Sequence, residues 1–127
     1  MEIETINILV LAYLGDSIYE NLVREFLIKQ SIANVNDLQK ESLKFVSAIS
    51  QAKILQNLID NDILNESEIE IIKRGRNHKN SRHPKSCDVL TYKHATAFEA
   101  LIGYLHLKNN DDRIKEITHY IFKEVWK

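Results

Sequence analysis

Helix breakers are almost absent from this chain. Gly15, Gly75 and Gly103 are the only glycines, and Pro84 is the only proline, among 127 residues. Inside a helix, glycine costs about 1 kcal/mol and proline about 3 kcal/mol against alanine, so this distribution permits long helices. The apolar periodicity agrees. Leu9, Tyr13, Asp16, Glu20, Val23 and Leu27 recur at spacings of three and four. Leu38, Phe45, Val46, Ile49, Ala52, Leu55 and Ile59 form a second stripe, with Asn36 as its expected N-cap and Gln39 as the partner. Asn65 with Glu68 predicts a short helix ending near Arg74, followed by a polar loop that contains Gly75 and Pro84. Tyr92 to Leu107 reads as a helix with Ala95, Phe98, Ile102 and Leu105 on one side. A last helix, capped by Asn110 or Asp111, carries Ile114, Ile117, Ile121 and Val125. No segment alternates with a period of two, and there is no internal repeat or linker. The predicted class is all-α, one domain over residues 1–127.

The bulk properties exclude several classes. There is no apolar run of transmembrane length, and the start, Met1-Glu2-Ile3-Glu4, is acidic where a secretory signal would be basic. Cys87 is the only cysteine, so neither an internal disulfide nor a cysteine-based zinc site is expected. A cytoplasmic protein is the expectation. Net charge is only −1, but it is unevenly spread. Lys73, Arg74, Arg76, Lys79, Arg82 and Lys85 put six of the 17 basic residues in one short stretch without an acid. The remainder carries 11 bases against 18 acids. A weakly acidic body with one basic segment points to a local polyanion contact, although a charge run is more often a solvated loop.

Two acids stand out. Asp16 falls within the first apolar stripe, and Glu99 adjoins Phe98 and Ile102 on the helix expected at 92–107. A carboxylate on a core-facing stripe costs several kcal/mol unless a base or a cation compensates it. Gly15 adjoins Asp16, and Gly103 lies one turn beyond Glu99. Two helices crossing closely at these glycines would bring the two acids together, and carboxylates with water are what Mg²⁺ prefers. On periodicity alone, an acid held by a nearby base, or one at the edge of its stripe, is the commoner arrangement. His94, His106 and His119 are too scattered to read as metal ligands.

The segment Leu11-Ala12-Tyr13-Leu14-Gly15-Asp16-Ser17-Ile18-Tyr19-Glu20 resembles the signature of the ribonuclease III family, and Ala95-Thr96-Ala97-Phe98-Glu99-Ala100-Leu101-Ile102-Gly103-Tyr104-Leu105 resembles its second acidic motif. Arg74-Gly75-Arg76-Asn77, and Val46-Ser47-Ala48 with Gln51-Ala52, are similar to the Mini-ribonuclease III branch. The likeness spans nearly the whole chain. The family pattern has further acids at two places that here hold Ala12 and Thr96, so only Asp16 and Glu99 carry over. Mini-ribonuclease III shares these losses. The end at Lys127 leaves no room for the RNA-binding domain that follows in ordinary ribonuclease III.

The resemblance implies a ribonuclease III-like helical endonuclease domain that hydrolyses duplex RNA to 5′-phosphate and 3′-hydroxyl ends. It implies Asp16 and Glu99 as catalytic residues and Mg²⁺ ligands, with Glu20 available to an outer shell, although a helix acid in that place is more often simply solvated. It also implies maturation of large-subunit (23S) ribosomal RNA precursor by a homodimer, because cutting both strands needs two sites. Leu14, Ile18 and Tyr19 belong either to the dimer face or to the core. The expected RNA grip is Lys73, Arg74, Arg76, Asn77, Lys79, Arg82 and Lys85, with His78 and Asn80 as further hydrogen-bonders, facing the wide minor groove of A-form RNA. The rival from another class is a silent ribonuclease III-fold RNA-binding module of ribosome assembly. Such a module has no need of Asp16 and Glu99.

Overall fold

The computed structural model describes residues 2–79 and 87–125. A short 3₁₀ turn, Ile3–Thr5, leads into six helices: α1 (Ile8–Lys29), α2 (Val35–Val46), α3 (Ala48–Asp60), α4 (Glu66–Arg76), α5 (Val89–Leu107) and α6 (Asp111–Val125). No strand occurs among the described residues, so the fold is all-α as expected.

Helix α5 is the axle. Ala95–Phe98, Ala100–Gly103 and Leu105 are all buried, which leaves it apolar on almost every side. A helix of that kind must be surrounded, and α1, α3, α4 and α6 all pack against it. All three glycines lie inside helices, and each marks a contact with a neighbouring backbone or Cβ. A Cβ at Gly15 would meet the Glu99 carbonyl oxygen at 1.7 Å, and one at Gly103 would meet the Leu11 carbonyl oxygen at 2.1 Å. A Cβ at Gly75 would sit 2.5 Å from the Ala97 Cα. With glycine committed to these crossings, α1, α3 and α5 end on non-glycine residues of positive φ, namely Ser31 (65°), Asp62 (54°) and Asn109 (58°).

Several expectations need correction. The second stripe belongs to two helices. Ser47 adopts an extended conformation, and its hydroxyl accepts the Ser50 N–H at 3.2 Å, which ends α2 and starts α3. The cap of α2 is Asn34, whose side chain takes the N–H groups of Asn36 and Asp37. The buried face of α3 is Gln51, Ile54, Leu55 and Leu58, whereas Ile49 is about half exposed. Gly75 belongs to α4 and not to a loop, because it is the residue that lets α4 approach α5. Helix α5 begins three residues earlier than Tyr92, where the Asp88 side chain accepts the Thr91 N–H. The start of α4 is as expected: Asn65 and Glu68 form a reciprocal capping box.

The α1 stripe is also rotated. Its buried residues are Ile8, Leu11, Ala12, Gly15, Tyr19, Val23 and Leu27, while Tyr13 is 83% exposed and Asp16 is exposed. Tyr19 is core: its hydroxyl donates to the Phe45 carbonyl at 3.0 Å, and its ring meets Phe98 edge-on at 4.9 Å. Leu14 and Ile18 are half-buried.

Candidate active site

The site lies where α1 crosses α5. The Gly15–Gly103 contact lets the two backbones approach closely, and the side chains that flank it are Asp16 and Glu99. Asp16 reaches the rim of the crossing and faces solvent, while Glu99 is mostly buried. Asp16 is near enough to Glu99 to act on its carboxyl group.

Glu99 is strongly perturbed. Its carboxyl is pushed up to about 9, first by burial and then by the hydrogen bond and charge of Asp16, with a smaller push from the charge of Glu20. Its hydrogen bond with Gln51 acts in the opposite direction, towards the ionised form. Among the described residues no base acts on it. Like charges brought together in a poorly solvated site hold a proton, which is the second of the standard ways to raise a carboxyl pKa after desolvation. Glu20 acts from farther away; its own carboxylate is bound 2.8 Å from Arg24 on the next turn of α1.

Ala12 and Thr96, at the two places where the wider family pattern has acids, are both buried. Among the described residues no group of three or more His, Cys, Asp or Glu is arranged to hold a metal ion. Asp16 and Glu99 would give a cation a donor set of two carboxylates completed by water. It suits Mg²⁺, which keeps several waters and takes one or two carboxylates, and does not suit zinc, which takes nitrogen and sulfur ligands in a closed cage.

The profile of the ribonuclease III domain matches residues 9–110, a span that contains both acids and the glycine crossing. The chain belongs to the ribonuclease III family. It is 46% identical to Mini-ribonuclease 3 of Brevibacillus brevis over 91% of this chain and 85% of that one. It is 36% identical to Mini-ribonuclease 3 of Streptococcus pneumoniae over 98% of each. A crystal structure of a Fusobacterium nucleatum protein, 37% identical, superposes with a TM-score of 0.82 over 92% of this chain and 93% of that one. This family membership supports endoribonuclease activity and the use of a divalent metal.

The basic segment divides into parts with different surroundings. Lys73, Arg74 and Arg76 form the last turn of α4, where positive charge also complements the helix dipole. Arg74 is tethered, since its guanidinium donates to the Ile6 carbonyl at 3.0 Å, so it is not a free loop residue. Lys73 is exposed and lies 3.8 Å from Glu70. Asn77 is the C-cap of α4, and Lys79 is exposed. Arg76 is close enough to His94 for its charge, after burial, to lower the imidazole pKa, with Asp88 opposing. Arg82 and Lys85 lie outside the described residues.

Sequence reasoning missed the part played by Gln51. It is 2% exposed, lies on the buried face of α3, donates to the Val46 carbonyl and draws the Glu99 carboxyl towards its ionised form. The signal was present as a polar residue in register with Ile54, Leu55 and Leu58.

Proposed function

We propose that the chain is a metal-dependent endoribonuclease that cleaves double-stranded RNA as a homodimer, with Asp16 and Glu99 as the catalytic pair and Mg²⁺ ligands. The observation that carries this reading is the pairing of two carboxylates across the Gly15–Gly103 crossing with no base beside them among the described residues. A structural acid would have been given a base. When bound, a divalent ion supplies the positive charge that phosphodiester hydrolysis needs at the phosphate. The chain's own residues do the rest. The close helix crossing holds the two carboxylates together, with Glu99 half-buried and Asp16 at the exposed rim where a substrate could approach.

In this reading residues 1–127 act as one catalytic domain in the cytoplasm, and the substrate is the stem of a large-subunit (23S) ribosomal RNA precursor, as the sequence resemblance to the Mini-ribonuclease III branch implies. No described helix is long and apolar enough to cross a membrane. Lys73, Arg76, Asn77 and Lys79, with Arg82 and Lys85, grip the RNA backbone, while Arg74 helps from a fixed position. Val10 and Tyr13, exposed on the outer face of α1 beside the site, supply apolar surface for a second copy.

Incubation of the purified protein with duplex RNA, with and without Mg²⁺, tests the reading. Cuts on both strands that require the metal are expected, and light scattering should report about twice 14.8 kDa. Binding without cleavage at any divalent metal concentration would replace the enzyme with an RNA-binding module.

A further inference from the structure

We propose that Lys93, on α5, is an RNA-binding residue of the site: its ammonium holds a backbone phosphate of the duplex beside the Asp16–Glu99 pair. The inference rests on the functional reading above, and it adds to the grip a residue outside the basic segment of residues 73–85.

Lys93 stands one turn before Thr96 on α5 and six residues, roughly 9 Å of helix, before Glu99. It lines a narrow cleft with Leu9, Gly75, His78, Tyr92 and Thr96, beside the contact of Gly75 with Ala97. The cleft holds about 10 Å³, room for no more than one water, so a phosphate sits at its mouth. Lysine is ordinarily an exposed residue, yet Lys93 is half-buried. Among the described residues no acid forms an ion pair with it. Asp88, at the start of the same helix, caps it by accepting the Thr91 N–H. Half-buried bases elsewhere are served within the chain: Arg113 has Glu68, and Arg74 has the Ile6 carbonyl. Thr96 matters for the same reason. An acid in its place, as in the wider family pattern, would be an i,i+3 neighbour of Lys93 and would partly neutralise it. Threonine leaves the ammonium free. Arg76, half-buried at the end of α4, brings a second positive charge near His94, the next residue of α5. A lysine suits a backbone contact, because a point charge on a flexible stem can follow a phosphate without a fixed donor fork.

The test compares Lys93→Met, Lys93→Arg and, as a control, Lys53→Met at an exposed lysine of α3, in the full-length protein. Binding to a short duplex RNA is measured without divalent metal over a range of KCl concentrations, and cleavage is measured with Mg²⁺. Lys93→Met keeps the length of the stem and removes the charge. It is expected to weaken binding by roughly 10-fold, the scale of one charge-assisted hydrogen bond, and to flatten the salt slope by about one unit. KM should rise more than kcat falls, because a phosphate contact holds substrate and transition state alike. Lys93→Arg should restore the slope, and Lys53→Met should leave it unchanged. A purely structural role would instead lower the thermal midpoint of Lys93→Met and leave the salt slope of the folded protein intact. If the parent cuts duplex RNA while Lys93→Met keeps the parent's affinity and slope, the role of Lys93 is refuted and the functional reading stands. If the parent neither binds nor cuts duplex RNA, the functional reading has failed and the role of Lys93 falls with it.

Discussion

Glu68 is buried and Glu99 half-buried, on helices that contact each other, yet their surroundings are opposite. Glu68 is 1% exposed and fully served. Arg113 approaches it with two nitrogens at 2.8 and 2.9 Å, and the Asn65 N–H donates to it at 2.9 Å. The same guanidinium also donates to the Ile63 carbonyl at 2.6 Å, which ties the α3–α4 turn to α6. Glu99 has Asp16 for company, a glutamine amide, and a carboxyl pushed up to about 9. The first acid is compensated within the chain. The second has a like charge and no base beside it among the described residues. Burial alone does not separate a structural acid from a functional one; the sign of the nearest charge does.

Four measurements would break or sharpen that contrast. The largest effect is expected from Asp16→Asn, which should lower the cleavage rate by roughly 10³-fold, the scale for deleting one group that stabilises transition-state charge. Its circular dichroism and thermal midpoint should be retained, since Asp16 is exposed. Full activity in this variant would make the Asp16–Glu99 pair no more functional than Glu68–Arg113.

Arg113→Met should have the converse signature. It leaves Glu68 buried without its cation, at a cost of about 3–5 kcal/mol in denaturant unfolding, while the folded fraction keeps its specific activity. Unchanged stability would show that the Glu68 pair contributes nothing net.

Glu99→Gln should stabilise the metal-free protein at pH 8 by something on the order of 2 kcal/mol. The sign follows from the upward shift. Below the ordinary carboxyl value of 4.5 both folded and unfolded chains hold the proton, and as pH rises towards about 9 only the folded chain still does. The metal-free parent therefore loses stability across that window, and the variant should not. For the same reason Mg²⁺ binding at neutral pH should release close to one proton, which calorimetry in two buffers of different ionisation enthalpy would read. Parallel stability profiles for the two proteins would mean that Glu99 titrates normally.

The smallest effect calibrates the rest. Arg24→Ala removes the exposed partner of Glu20 and should change stability by less than about 0.5 kcal/mol, because exposed helix pairs are weak. A larger loss would mean that surface pairs in this chain are stronger than usual and would shrink the contrast with Arg113.

Much of the fold could be read in advance. The capping box at Asn65 and Glu68, the apolar run around Phe98 and the regular isoleucines of α6 were all visible, because local spacing and capping are properties of the chain itself. Two things were not. The exposed side of α1 could not be separated from its buried side, since Tyr13 and Asp16 keep helical spacing with Val23 and Leu27 as well as Leu11 and Tyr19 do. The break at Ser47 was hidden because the apolar stripe runs on in phase across it.

What the sequence determined by itself was the class of the molecule and the nearness of Asp16 to Glu99. Scarce breakers and periods of three and four admit only helices, and two glycines beside two acids foretold a close crossing. Which carboxylate is compensated was decided only by the tertiary structure. Arg113 is 45 residues from Glu68, and nothing local distinguishes it from the chain's other bases. Gln51 and Glu99 likewise come near each other only because α3 packs on α5. Charge pairing at a distance depends on where helices are brought by burial of their apolar faces, and that is a property of the packed core rather than of any one segment.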